Sequence, residues 1–284
     1  MPPDLIDALD VRLQRRVSGA LPGEHRSPGV GAGVELSQLR PYQPGDDVRQ
    51  LDPAAFARTQ IPHVRVQVPE RALTTWIVLD VSPSMAFGTA DRLKSDVAEG
   101  VATVVGRLAT RRSNRLGVLT TGSVREHVLA PHGGRGALIQ LRRLLAEGVA
   151  PDGRPGEGLR RTLARLGKLA RGSGLIVIVS DFHGTPDWGK DLRALAHRHD
   201  ILACEVRDPR EDALPDVGHL WLVDPETGAE RHVDTARGRV REAYARAAAE
   251  GRAAVAAELR HARAQHVVVT TQGDWLRRFG EALA

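Results

Sequence analysis

The chain has 284 residues, 42% of them hydrophobic and 26% charged, which supports a buried core and lies outside the composition of disordered chains. Its single cysteine, Cys204, excludes an internal disulfide and any multi-cysteine metal centre. The formal charge is +5, and with only three lysines (Lys94, Lys168 and Lys190), 37 of the 40 basic residues are arginine. These arginines alternate with Glu, Asp and Ala, and aromatics are only 4%, so no clustered nucleic-acid surface is expected.

Met1-Pro2-Pro3-Asp4 has neither the basic flank nor the apolar stretch of a secretion signal. The longest apolar run, Leu175 to Val179, is far too short to span a membrane. A cytoplasmic protein with no membrane span is expected. Residues 1–70 read as a small N-terminal module, too thin in apolar residues to fold alone. It contains a short helix over Leu5–Val17, an irregular Gly- and Pro-rich stretch over Leu21–Gly33, a dense polar segment over 34–60 and a strand-like alternation over His63–Val68.

Residues 71–284 read as an α/β domain, because short apolar runs alternate with longer amphipathic ones. Leu73–Asp80 is a buried strand, and Asp91–Thr110 a helix with Leu93, Val97, Val101, Val104, Val105 and Leu108 on one face. Arg115–Thr121 and Val124–Ala130 predict two strands joined by a tight turn at Gly122-Ser123, hence antiparallel. Helices are expected at Ala137–Glu147 and Gly158–Arg171, a buried strand at Leu175–Ser180, a helix at Asp187–His199 and a strand at Ile201–Val206. A hairpin over Leu220–Val233 turns at Pro225–Gly228. A long helix from about Ala236, a strand at Val267–Val269 and a helix at Asp274–Leu283 complete the chain. The expected architecture is a six-stranded, mostly parallel sheet with helices on both faces.

Two constellations carry candidate chemistry. Asp80-Val81-Ser82-Pro83-Ser84 comes directly after the first core strand, at the C-terminal edge where open α/β sheets gather ligands. Asp181 stands just past the strand ending at Ser180 and can reach the same pocket if the two strands are near neighbours. These are oxygen donors only, suited to a hard Mg²⁺ or Mn²⁺ ion. The same residues also serve as ordinary turn and cap formers.

The second constellation runs from Arg40 to Arg58 and holds Arg40, Tyr42, Gly45, Asp46, Asp47, Arg49, Asp52 and Arg58. Pro44-Gly45 fits the centre of a type II turn. Three arginines against three aspartates predict a salt-bridge network that fastens the N-terminal module to the α/β domain.

Together the two segments resemble the domain-of-unknown-function-58 family, whose C-terminal part is similar to a von Willebrand factor A domain. The family pattern R-x-Y-x-P-G-D-D-x-R-x-I-D-W, with A-R shortly after it, corresponds to Arg40–Arg58. D-x-S-x-S-M-x-F-G corresponds to Asp80–Gly88, and S-D-F to Ser180–Phe182. The likeness continues through Asp208–Glu211, Leu214-Pro215 and Asp224–Gly228, over roughly residues 30 to 280.

The resemblance implies a von Willebrand factor A-like sheet bearing a metal-ion-dependent adhesion site. Ser82 and Ser84 would be direct ligands, with Asp80 and Asp181 as supporting carboxylates and a partner's Asp or Glu completing the shell. It also implies a non-enzymatic interaction module acting beside a MoxR-type AAA+ ATPase on a client protein. Three departures stand out. Gly153–Gly158 carries no threonine where the family supplies a further ligand, so Mg²⁺ or Mn²⁺ is expected weakly bound or absent. Pro53 replaces the usual Trp, and Phe56 a small hydroxyl residue. The alternatives are a Mg²⁺-dependent phosphohydrolase with Asp80 as nucleophile, which lacks the second aspartate two residues on, and an Arg-rich nucleic-acid binder.

Overall fold

The computed structural model describes residues 34–69, 73–111, 114–153 and 156–283. The expected helix Leu5–Val17 and the irregular stretch Leu21–Gly33 lie outside the described residues. The chain divides into two compact units, whose described parts are 34–69 and 73–283.

In the smaller unit, β1 (Val34–Pro41) pairs antiparallel with β2 (His63–Pro69). The polar segment over 34–60 therefore opens with a strand that the alternation did not reveal. Apolar Val34 and Leu36 are succeeded by Leu39, out of phase, and the ladder shifts register between Leu36 and Gln38. A bulge inserts one residue and breaks the period of two. The same segment also holds a short helix, α1 (Pro53–Thr59), which Asp52 starts by accepting a hydrogen bond from the Ala55 amide at 2.9 Å. Pro53 occupies the first helical position, where its missing N–H costs nothing.

The larger unit is built on a six-stranded sheet. Its strands are β3 (Thr74–Asp80), β4 (Arg115–Thr121), β5 (Val128–Gly133), β6 (Gly174–Ser180), β7 (His199–Arg207) and, near the C-terminus, Gln265–Thr270. A separate hairpin of β8 (His219–Val223) and β9 (Glu230–Asp234) precedes that last strand, which is therefore β10. The spatial order is β10-β7-β6-β3-β4-β5, and every pairing is parallel except β4 with β5.

Alternation along the central strands sends side chains to two cores. Ile77, Leu79, Val177, Val179, Leu202 and Cys204 face one cluster, which α2 (Lys94–Ala109), α3 (Gly134–Leu145) and Trp275–Ala282 cover with Val101, Leu141 and Phe279. Trp76, Val78, Ile176, Ile178, Ile201 and Ala203 face the other. It is covered by α4 (Leu159–Leu169), α5 (Gly189–Ala196) and α6 (Gly238–His261) through Leu163, Leu192 and Leu259. The C-terminal helix Trp275–Ala282 is α7. Helices on both faces let the sheet strands be apolar on both sides, hence the continuous apolar runs in the sequence. Among the described residues no helix is long and apolar enough to cross a membrane.

The expected strand Val124–Ala130 is corrected in its position. It runs over Val128–Gly133 and is antiparallel as expected, but the chain does not turn at Gly122-Ser123. Gly122 N–H donates to the Glu157 carbonyl and Gly156 N–H to the Gly122 carbonyl, both at 3.1 Å. That backbone is committed to another loop, so the return strand starts later, after Thr120 N–H has bonded the His127 carbonyl at 3.0 Å.

One buried polar cluster ties the edge strand to the sheet. Glu205 on β7 accepts from His266 Nε2 of β10 at 2.6 Å and pairs with the Arg207 guanidinium. Burial acts to raise its pKa, but the hydrogen bonds from His266 and Arg207 outweigh it and hold the carboxyl below its ordinary value. A depressed folded-state pKa contributes stability above the unfolded value near 4.5, and that stability is lost as pH falls through the folded one. Glu205→Gln should therefore be less stable than wild type at about pH 7. In urea denaturation, the deficit should shrink progressively at about pH 3.

Candidate functional site

β3 and β6 are adjacent and parallel, with Leu79 opposite Val179, so both strands end at the same level. Asp80 and Asp181 are thereby delivered to one edge. Beyond β3 the chain enters a short 3-10 turn, Pro83–Ala86, which brings Ser82 and Ser84 back beside Asp80. All four line one cleft of about 340 Å³, together with Thr121, Gly122, Glu157, Ser180, Asp224 and Glu226. The expected convergence is observed.

Asp80 is buried. Its Oδ1 accepts from Ser82 N–H at 2.9 Å, and its Oδ2 from the Ser180 hydroxyl. Burial, with the charge of Asp181 added, pushes its carboxyl up to about 6. The Ser82 and Ser84 hydroxyls lie 3.0 Å apart. Gly122, at φ +85°, permits this crowding: a Cβ there would stand 2.5 Å from the Ser82 Cβ and 2.8 Å from Asp80 Oδ1.

Asp181 is not free in the cleft. Its Oδ2 accepts from Lys94 Nζ at 2.7 Å and its Oδ1 from His183 N–H at 2.9 Å. The turn that aims it carries strain, since Phe182 is left-handed at φ +52° and is held there by packing on Trp188 at 5.3 Å. Lys94, the first residue of α2, is fully buried and also bonds Glu211. Burial alone would lower its pKa, but the two carboxylates outweigh burial and keep the ammonium charged; the same cation, against burial, holds Asp181 below its ordinary value.

Lys94 and Glu226 were not among the expected site residues, although Glu226 lies in the Asp224–Gly228 stretch of the likeness. Lys94 had one signal: it is one of three lysines in a chain that otherwise uses arginine. Glu226 sits in the hairpin turn 142 residues away and accepts from Ser84 N–H at 3.0 Å. The Asp208–Glu211 stretch serves the same edge. Asp208 caps its own turn and accepts from the Thr89 and Thr271 hydroxyls, and Glu211 reaches Lys94.

Arg40–Arg58 belongs to the smaller unit. Arg40 makes a bidentate pair with Asp46, at 2.7 and 2.6 Å. Gly45 takes φ +105°, and Asp46 N–H bonds the Gln43 carbonyl at 3.0 Å, as a type II turn requires. Asp47 accepts from the Arg49 amide at 3.0 Å, and their side chains approach to 3.8 Å. The Tyr42 amide bonds the Pro62 carbonyl at 2.8 Å, Asp52 caps α1, and Arg58 is exposed in the last turn of that helix.

Among the described residues no group of three or more His, Cys, Asp or Glu side chains is placed to hold a metal ion. The cleft offers two adjacent hydroxyls backed by a carboxylate, an all-oxygen set that fits a hard cation weakly. Thr121 lines the cleft, but its hydroxyl donates to the Glu157 carbonyl at 3.2 Å.

The parallel sheet with one antiparallel edge strand, helices on both faces and D-x-S-x-S at its C-terminal edge define a von Willebrand factor A-like α/β protein. The chain belongs to the family described as "Protein of unknown function DUF58", whose model matches residues 38–254. Similar relatives include uncharacterized proteins of Mycobacterium tuberculosis and Mycobacterium bovis, each 41% identical over 271 residues, spanning 94% of this chain and 84% of the relative. Among solved structures, the conserved hypothetical protein BatB from Bacteroides thetaiotaomicron matches at TM-score 0.44 and 10% identity, covering 74% of this chain and 97% of that one. The SpRpn10 VWA domain matches at TM-score 0.33 and 15% identity, covering 48% and 76%.

The buried ion cluster yields a stability prediction. Lys94→Met would leave Asp181 and Glu211 without their cation and should cost about 3–5 kcal/mol in urea denaturation. The double variant Lys94→Met, Asp181→Asn should recover part of that loss.

Proposed function

We propose that this protein is a non-enzymatic interaction module. Its cleft, formed by Asp80, Ser82, Ser84 and Asp181, would hold Mg²⁺ or Mn²⁺ weakly and receive a carboxylate from a protein partner. The partner in this reading is a MoxR-type AAA+ ATPase, with the module handing on a client protein. The observation that carries it is the meeting of two hydroxyls and two carboxylates in one cleft at the C-terminal edge of the sheet. Ser82 and Ser84 would be the direct ligands, with Asp80 and Asp181 behind them. A bound cation would supply a positive charge for the incoming carboxylate.

This chain's own residues set the conditions for that contact. Asp80 orients Ser82 through the backbone and is itself held by Ser180. Lys94 neutralises Asp181, which lowers the charge available to retain a cation and supports weak binding. The phosphohydrolase alternative fares worse, because both Asp80 oxygens accept hydrogen bonds and the carboxylate is buried. Arginines paired with carboxylates, such as Arg161 with Glu157 at 2.6 Å and Arg193 with Glu258 at 2.5 Å, give little support to a nucleic-acid surface.

The test is capture of the ATPase by wild type, Asp80→Ala and Ser82→Ala, each with Mg²⁺ and with chelator. Capture by wild type should fall about tenfold or more in chelator, and neither variant should respond to the ion. The melting temperature of wild type should move by less than about 2 °C, because a weakly held ion stabilises little. Equal capture in all conditions would overturn the adhesion-site mechanism.

A further inference from the structure

The turn between β8 and β9 brings a carboxylate of this chain into the same cleft that would receive a partner's. Glu226 Oε1 accepts from Ser84 N–H at 3.0 Å, and Asp224 and Glu226 both line the cleft with Asp80, Ser82 and Ser84. The approach is built into the turn. Asp224 Oδ1 accepts from Glu226 N–H at 3.0 Å, and its Oδ2 from the Thr227 hydroxyl at 2.6 Å. Gly228 N–H donates to the Asp224 carbonyl at 2.8 Å, with Gly228 at φ +70° closing the turn. Gly153 N–H donates to the Pro225 carbonyl at 2.8 Å and ties the turn to a second loop. These hydrogen bonds shape the turn and seat its carboxylate.

An amide N–H at the edge of a cleft is a donor that any incoming acidic side chain would use. Here it is already in use by a group on the same chain. We propose that residues Asp224–Gly228 are an internal stand-in for the partner: the cleft recognises an acidic loop that presents its own carboxylate to Ser84 N–H, and that loop must displace Glu226 to bind. The inference rests on the reading of the cleft as an interaction site but does not require the cation. A tethered group acts at an effective concentration of the order of millimolar, so a free competitor at micromolar concentration faces a closed site. Removing the tethered group should restore affinity in proportion to the fraction of open cleft.

The probe is a fluorescent, backbone-cyclised peptide carrying residues 219–234 of this chain, with binding to the full chain read by anisotropy. Glu226→Ala removes the occupant, and Asp224→Ala loosens the turn while leaving Glu226 in the sequence. Both variants should bind the probe about tenfold or more tightly than wild type, and a probe with Gln in place of Glu226 should lose that gain. Each measurement is made with Mg²⁺ and with chelator. A gain in both conditions supports the internal occupant independently of the cation, and a gain only with Mg²⁺ supports it together with the adhesion-site reading. No gain for either variant, or equal binding of the Gln probe, overturns the inference. Mg²⁺-dependent capture of the ATPase would then still stand by itself.

Discussion

The functional edge depends on the side-by-side parallel pairing of β3 with β6. Thr74 stands opposite Gly174 and Leu79 opposite Val179, so the two strands end together and the residues just beyond them are delivered to one place. The pairing requires close backbone approach: a Cβ at Gly174 would collide with the Thr74 carbonyl oxygen. Both strands are buried on both faces, so a slip of one residue would exchange the side chains meant for the two cores. The register is therefore fixed by packing, and the meeting of Asp80 with Asp181 is its consequence.

That convergence concentrates negative charge, and Lys94 answers it. One ammonium at the start of α2 serves Asp181 and Glu211, which arrive from the ends of different strands. A compact ammonium with three rotatable donors can divide itself between two carboxylates in different directions, whereas the planar guanidinium fork is suited to one. This accounts for a buried lysine in a chain whose basic residues are otherwise almost all arginine. Arg40 illustrates the contrast in the smaller unit, where its fork meets the single carboxylate of Asp46 edge to edge. That pair is partly exposed, so its contribution is geometry more than stability.

The cleft carries donors and acceptors for holding a group in place. Its hydroxyls face each other, its buried carboxylate is tied down by Ser82 and Ser180, and Glu226 already sits on the Ser84 amide. The strain at Phe182 lies where it aims Asp181 at Lys94. Glycine at position 122 is required by the crowding around Ser82 and Asp80, a constraint of the site and not of a hairpin turn.

By itself the sequence determined the larger unit's alternation of strands and helices and the likeness of Arg40–Arg58, Asp80–Gly88 and Ser180–Phe182 to one family. It also determined that Asp80 and Asp181 stand at strand ends. Periodicity and local turn chemistry carry that information, because each depends on residues a few positions apart. The strand Val34–Pro41 escaped it because a bulge breaks the period of two, and the start of β5 because Gly122 is held by a loop more than thirty residues on. Only the tertiary structure decided that Lys94 is buried against Asp181 and Glu211, and that Glu226 reaches Ser84 from 142 residues away. Neither contact leaves a local pattern, because both are made by elements that meet only when β3, β6 and β7 end at the same edge of the sheet.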